Sequence, residues 1–331
     1  MAGLFHGGII ATGSYVPEKV ITNHDLERIV DTSDEWIVTR TGIRERRIAD
    51  SNTATSDLAT MAARRALESA RLTPQDIDMI VVATVTPDMH FPSTACLVQR
   101  NIGATNASAF DLEAACSGFL YGIIVANQFV ATGLCRNVMV IGAECLSKFV
   151  NWKDRNTCVL FGDGAGAVIV SRVGEGYGFL SQVLGADGSG ADLLMLEAGG
   201  SRKPPSFEKV ERELHYIYME GSEVFKFAVR IMAAMAEEAV QRAGLTKEQV
   251  DFLIPHQANI RIIEAARKRL ELPEDKVYVN LDRYGNMSAA SIPVALDEAI
   301  RLGRIKKGDN IVMVGFGGGL TWGACAMKWA V

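Results

Sequence analysis

In AFDLEAACSGFLYGIIVANQFVATG an apolar, strand-like stretch stops at Cys116 and a helical pattern begins at once, which places the thiol at a helix N-terminus. There the helix dipole and free N–H groups favour thiolate, so the pKa of Cys116 is expected below the usual ~8.5. A thiolate in that position is a nucleophile able to hold a substrate covalently. His256 ends the apolar run VDFLIPH and opens HQANIRIIEAARKRL, a second helix start. Asn286, in RYGNMSAASIPVALDEAI, again stands just before a helix. Taken singly, each has an ordinary explanation: a small buried cysteine, a structural histidine at a strand end, an asparagine in a Gly-Asn turn. Jointly they offer a nucleophile and two polar partners from three loops of one kind.

The elements that must position them repeat. LTPQDIDMIVVA from Leu72 aligns with LTKEQVDFLIPH from Leu245, and RNVMVIG from Arg136 with DNIVMVG from Asp309, both at an offset of 173 residues. Two segments at one offset argue for two copies of one α/β unit, residues 1–173 and 174–331. Leu58, Met61, Ala62, Ala66 and Ala70 recur at helical spacing in the first copy, and Val224, Ala228, Ile231, Met235 and Ala239 in the second. Thr73 with Asp76, and Thr246 with Gln249, have the spacing of a reciprocal cap. The apolar runs MIVVATV and FLIPH lack alternation, as strands covered on both faces do. The expected fold is a duplicated, five-layer α/β/α/β/α arrangement with halves related by a pseudo-two-fold axis. Loops at the carboxyl ends of strands from both halves would converge on one site.

Composition narrows the function. With 331 residues, 48% hydrophobic and 22% charged, the chain is an ordinary globular sequence. Its net charge of -5 gives no support to a nucleic-acid binder. The six cysteines (Cys96, Cys116, Cys135, Cys145, Cys158, Cys325) are scattered singly, without the C-x-x-C pairs of zinc sites or the spacing of a stapled secreted domain. No metal site is expected, and a reducing cytoplasm fits. MAGLFHGGIIATGSYVP reads as a strand running into a turn rather than a signal peptide, and no membrane span is expected. FGDGAG and GFGGG lack the spacing of phosphate or dinucleotide loops and read as tight turns.

Six segments, DEWIVTRTGIRER (Asp34 to Arg46), AACSGF (Ala114 to Phe119), FGDGAGA (Phe161 to Ala167), PHQANIRI (Pro255 to Ile262), YGNMSAAS (Tyr284 to Ser291) and GFGGGLTWG (Gly315 to Gly323), resemble the signatures of the β-ketoacyl-acyl carrier protein synthase III family. They stand in family order over essentially the whole chain. The resemblance implies a thiolase-like fold, a homodimer, and decarboxylative condensation of a primer, acetyl-CoA or another short acyl-CoA, with malonyl-acyl carrier protein. Acyl-CoA is then a substrate and no cofactor is permanently bound. It assigns Cys116 as the acylated nucleophile, His256 and Asn286 as donors to the enolate oxygen, and the backbone N–H groups of Cys116 and Gly318 as an oxyanion hole.

Both substrates end in a long phosphopantetheine arm, so Cys116 should lie at the bottom of a tunnel. By resemblance Trp36 and Arg155 sandwich the CoA adenine, with Thr32, Arg40 and Asn259 as further CoA contacts. The loop Gln257, Ala258, Asn259, Ile260 and Arg261 would meet the acidic carrier protein, Arg261 being the strongest candidate; the arginines between Arg40 and Arg47 are a second basic segment. Phe161 and Phe91 are acyl-pocket candidates, Phe91 reaching across the dimer. A Cys, His, Asn order also suits a papain-like protease, but its C-G-[SA]-C-[WY] pattern is absent. Thiolases need a second cysteine in a Cys-Gly-His setting, which Cys325 in GACAMK lacks. A polyketide synthase of plant type, and a non-catalytic carrier-binding scaffold, remain as rival readings.

Overall fold

Met79–Ala83 carries five apolar side chains in a row because both of its faces are covered: Ile80 and Val82 enter one core, Met79 and Val81 another. This strand belongs to a sheet of five, β1 (Gly7–Tyr15), β2 (Met79–Ala83), β3 (Ser108–Leu112), β4 (Asn137–Cys145) and β5 (Asp163–Arg172), in the spatial order β1-β5-β4-β2-β3. The computed structural model describes residues 4–331, so Met1–Gly3 of the N-terminal reading lie outside the described residues. A second sheet comprises β6 (Gly178–Ala186), β7 (Phe252–Pro255), β8 (Asn310–Gly317) and β9 (Thr321–Lys328), ordered β6-β9-β8-β7. From β1 the pairings run antiparallel, antiparallel, parallel, parallel. From β6 they run antiparallel, antiparallel, parallel. The second sheet therefore repeats the first with one strand fewer.

The offset of 173 seen in the sequence is also an offset between bonds. Strands β2 and β7 begin at Met79 and Phe252, and β4 and β8 at Asn137 and Asn310. Both reciprocal caps form, each on a single 3-10 turn. The Asn137 amide donates to the Asp76 carbonyl at 2.8 Å, and the Asn310 amide to the Gln249 carbonyl at 2.9 Å. Asp78 accepts from the Asn137 N–H, and Asp251 from the Asn310 N–H, both at 2.9 Å.

Five layers follow. Helices α1 (Thr55–Ala70) and α2 (Gly118–Ala131) precede residue 173, while α3 (Gly221–Arg242), α4 (Ile260–Arg269) and α5 (Ser291–Arg301) follow it. Helix α1 covers the outer face of the first sheet, α3 and α4 that of the second, and α2 with α5 fill the space between the sheets. The stripe on α1 is centred on Leu58, Ala59, Ala62, Ala63 and Ala66; Met61, placed on it by the sequence reading, is 37% exposed. Small residues are needed there because α1 passes very close to β1: a Cβ on Gly13 would stand 2.6 Å from the Ala62 carbonyl oxygen.

Candidate active site

Cys116 lies in a single 3-10 turn, Ala115–Ser117, at the end of β3 and continuous with α2. Ala115 is held at φ 46°, a conformation that costs a non-glycine residue of order 1 kcal/mol or more. The turn is pinned from the other half: Ser117 Oγ donates to Thr321 Oγ1 at 2.8 Å, and Thr321 Oγ1 donates to the Ala114 carbonyl at 2.9 Å. The backbone of β8 comes closer still, since a Cβ on Gly317 would stand 2.4 Å from the Cys116 nitrogen. Neither the Cys116 nor the Gly318 N–H donates to another residue among the described residues.

The depressed thiol pKa expected from the helix terminus does not hold. Burial pushes the Cys116 thiol up to about 12, with the Glu144 and Glu113 carboxylates adding to the rise. Removing a thiolate from water outweighs the dipole at the head of α2. The buried sulfur is therefore a thiol near neutral pH.

His256 follows β7 and is 1% exposed, its N–H bonded to the Val314 carbonyl at 2.8 Å. The ring stands edge-on to Phe316, with centroids 5.7 Å apart. Neither ring nitrogen has a partner, and burial holds the pKa down at about 3, so the ring is neutral. A neutral imidazole keeps one N–H to donate. Asn286 is clasped between strands: it forms a bridge with Phe161, and its N–H donates to the Leu160 carbonyl at 2.8 Å. Its Oδ1 accepts the Ser288 N–H at 2.8 Å, which leaves the Nδ2 group as the free donor.

FGDGAG proves to be a site of close approach rather than a turn. A Cβ on Gly162 would meet the Tyr284 carbonyl oxygen at 2.3 Å, and one on Gly166 the Pro293 backbone at 2.7 Å. Glycine lets β5 run directly against the segment that presents Asn286. In GFGGG, only Gly319 has the positive φ of a turn glycine.

Two cavities meet at the sulfur. One of about 440 Å³ is walled by Val85, Leu146, Phe149, Phe161, Leu194 and Ile217. The other, about 90 Å³, is lined by His256, Asn286, Phe225, Ala258 and Asn259, and also touches Cys116, Phe161 and Leu194. Part of the roof is a ribbon of Leu194–Leu196 paired with Ile217–Met219, which the sequence reading did not single out. Phe161 lines both cavities. Phe91 is 85% exposed and lines neither.

The outer end of the narrower cavity is where the expected carrier contacts gather. Asn259 caps α4 through its Oδ1 and donates to the Arg40 carbonyl at 2.8 Å. Arg40 and Arg155 both lie over the Trp36 ring, at 4.6 and 5.3 Å from its centre. The Thr32 hydroxyl is buried and unpaired nearby in the chain. Arg261 is exposed and rests on Phe225 at 4.8 Å, whereas Arg267 and Arg269 are paired with Glu264 and Glu237. Ala258 and Ile260 are half-buried. Gln257 differs from the surface contact expected: it is fully buried and its amide is spent on the Pro255 and Tyr278 carbonyls and the Asn280 N–H, so its side chain braces the loop. Arg46, counted in the second basic segment, is likewise buried on the Ile21 and Val159 carbonyls and Asn23. Among the described residues no cluster of His, Cys, Asp or Glu could hold a metal ion, and no helix is long and apolar enough to cross a membrane.

Comparison with known proteins bears on this arrangement. The family description 3-oxoacyl-[acyl-carrier-protein (ACP)] synthase III matches residues 110–188, and its C-terminal counterpart residues 240–329. The β-ketoacyl-[acyl-carrier-protein] synthase III of Caldanaerobacter subterraneus subsp. tengcongensis is 67% identical over 323 residues, 98% of each chain. This chain belongs to the 3-oxoacyl-[acyl-carrier-protein] synthase III family. The crystal structure of the Aquifex aeolicus synthase III superposes with a TM-score of 0.91 at 51% identity, over 98% of this chain and 100% of that one. The priming β-ketosynthase of the R1128 polyketide pathway gives 0.92 at 36% identity, over 99% and 98%. The thiolase-like fold expected from the sequence is thus the observed one. The ends of β3, β7 and β8, from the two sheets, carry Cys116, His256 and Gly318.

Proposed function

We propose that this chain is a condensing acyltransferase that starts fatty acid synthesis, joining a primer acyl-CoA to malonyl-acyl carrier protein with release of CoA and CO2. The observation that supports it most is the meeting of the two cavities at Cys116. One is wide and apolar, as a pocket for an acyl chain would be; the other leads past two uncharged donors toward the surface.

Cys116 attacks the thioester carbonyl, CoA leaves, and the acyl group stays on sulfur. Malonyl-carrier follows along the narrow cavity. Loss of CO2 puts enolate charge on the thioester oxygen, where the neutral His256 and the Asn286 Nδ2 group donate, each worth roughly 3 kcal/mol by analogy with oxyanion holes. The carbanion attacks the acyl-sulfur carbonyl, whose oxygen lies against the Cys116 and Gly318 N–H groups. Trp36 with Arg40 and Arg155 takes the CoA nucleotide, helped by Thr32 and Asn259. Arg261, with the half-buried Ala258 and Ile260 beside it, meets the carrier protein. No permanently bound cofactor is needed. The halves 1–173 and 174–331 supply the nucleophile and the two donors respectively, and a homodimer in the cytoplasm places Phe91 against its partner's acyl pocket.

A priming role in polyketide assembly is the second reading, favoured by the likeness to the R1128 enzyme. Separating the half-reactions tests the assigned roles. His256→Ala and Asn286→Ala are expected to acylate normally yet to release CO2 from malonyl-carrier about 100-fold more slowly, whereas Cys116→Ala forms no acyl-enzyme. Equal loss of both half-reactions in all three variants would overturn the roles.

A further inference from the structure

Glu298 on α5 has no part in the chemistry above, yet it is only 7% exposed and collects donors from four side chains. Oε1 accepts the Tyr284 hydroxyl at 2.6 Å and the Arg283 guanidinium at 3.3 Å. Oε2 accepts the Asn280 amide at 2.8 Å, Arg283 again at 3.1 Å and the Tyr278 hydroxyl at 3.4 Å. All four donors lie in one short segment, residues 278–284, which comes between His256 and Asn286 in the chain.

Two arms run from this carboxylate toward the two donors of the site. Along the first, Tyr284 stands two residues before Asn286, and the Gly285 N–H between them closes onto the Leu281 carbonyl at 2.9 Å. Fixing the Tyr284 hydroxyl therefore fixes where the chain enters the Asn286 turn. Along the second, the Asn280 N–H donates to Gln257 Oε1 at 3.0 Å, and the Gln257 amide donates to the Pro255 and Tyr278 carbonyls at 2.8 and 3.1 Å. Pro255 and Gln257 flank His256 on either side. The Tyr278 N–H adds a bond to the Leu253 carbonyl of β7 at 3.1 Å, so the segment is tied to the strand that presents the imidazole.

An anchor of this kind matters because the working atoms are not held themselves. Neither ring nitrogen of His256 has a partner, and Asn286 is held through its Oδ1 and backbone rather than its Nδ2. Their aim at an enolate oxygen depends on the backbone that carries them, and a misplacement of about 1 Å can cost on the order of 100-fold in rate. Glu298 and Arg283 form an ion pair at 3.1 Å. A buried pair adds little stability over apolar residues of the same volume, so a geometric task accounts for it better than stability does.

We propose that Glu298 is a positioning residue for decarboxylation, holding the loops of His256 and Asn286 in register with one another through Asn280 with Gln257 and through Tyr284. This rests on His256 and Asn286 being the enolate donors of the proposed function. Glu298 touches no substrate in this scheme. Its neighbour Asp297 gives the contrast: it is equally buried on the same helix, but it accepts from Thr12 and Ser14 at 2.8 and 2.6 Å and so ties α5 to β1, away from both loops.

The test separates the half-reactions in wild type, Glu298→Ala, Glu298→Gln, Tyr284→Phe and Asn280→Ala. Cys116 acylation by a short acyl-CoA is read by intact-protein mass at set times, and CO2 release is measured after malonyl-carrier is added. All four variants are expected to acylate within about twofold of wild type, since Cys116 is held by other bonds. CO2 release is expected to fall about tenfold in Tyr284→Phe and in Asn280→Ala, which cut one arm each, and about 100-fold in Glu298→Ala. Glu298→Gln should recover part of that loss, because its amide can donate to Asn280 Oδ1, which has no partner. Asp297→Asn is the control, expected to lower the thermal midpoint while leaving the ratio of the two rates as in wild type. Should Glu298→Ala fail to fold, the other three variants decide. CO2 release within about twofold of wild type in them, or acylation and CO2 release falling together as stability falls, would overturn the positioning role. A wild type that acylates but releases no CO2 from malonyl-carrier would instead remove the donor roles of His256 and Asn286, and this role with them.

Discussion

Ala115 and Ser288 lie 173 residues apart and hold the same left-handed backbone conformation, with φ of 46° and 45°. Each opens a one-turn helix that leads into one of the two central helices, and the two turns touch between the sheets. Duplication has thus produced two equivalent strained corners side by side. One presents the thiol of Cys116, the other the hydroxyl of Ser288 and, two residues earlier, the amide of Asn286. Strain of this kind persists where surrounding packing over-determines it, here the Thr321 and Ser117 bonds on one side and the Asn286 bond on the other.

Gly317 offers a direct test of that packing around Cys116. An added Cβ would stand 2.4 Å from the Cys116 nitrogen and 2.9 Å from the Ala115 Cβ. Gly317→Ala is expected to cost about 1–3 kcal/mol and to displace the nucleophile, whereas Gly188→Ala, with nothing within 4 Å, is expected to be nearly silent. Thermal midpoints and acylation rates of the two variants decide it; equal effects would contradict the close approach.

The pH dependence of stability carries a signature of His256. Its folded pKa lies at about 3 against an ordinary 6.5, so below 6.5 the unfolded chain binds a proton that the native chain refuses. Stability then falls as pH drops through this window. Glu144 works the other way: raised to about 7 from 4.5, it favours the folded state below 4.5, and that contribution is lost as pH rises through 7. Melting His256→Asn against wild type at stepped pH isolates the first effect. The variant should lose less stability on acidification, and parallel curves would contradict a buried neutral histidine.

Charge and aromatic contacts at the surface should separate the two substrates. Arg261→Glu is expected to raise the KM for malonyl-carrier, more so at low salt, and to leave CoA-dependent acylation within about twofold. Trp36→Ala should do the converse, weakening acyl-CoA about tenfold while sparing a primer thioester that lacks the nucleotide. Steady-state kinetics with each substrate varied in turn reads both; identical profiles for the two variants would contradict separate contacts.

The duplication was legible because it is written in apolar runs, caps and paired asparagines whose spacing survives in one dimension. Cys116 and His256 were legible because each interrupts such a run at a strand end, and Asn286 because it stands just before a helix. What escaped depends on depth. Gln257 and Arg46 look like surface polar residues in sequence, yet both bond inward to carbonyls from distant segments. The Cys116 pKa was misjudged for the same reason, since a helix start is visible in sequence and burial is not. The left-handed corner at Ser288 escaped as well, although the offset that relates Ala115 to Ser288 was a signal pointing to it.

Acyl transfer to Cys116 is the central claim, and intact-protein mass spectrometry tests it most directly. Wild type and Cys116→Ser are incubated with acetyl-CoA, isobutyryl-CoA and hexanoyl-CoA, and malonyl-acyl carrier protein is then added. The expected result is an acyl mass on wild type, absent from Cys116→Ser, that disappears once malonyl-carrier arrives. No acyl mass on wild type with any primer, or one that Cys116→Ser shares, would contradict it.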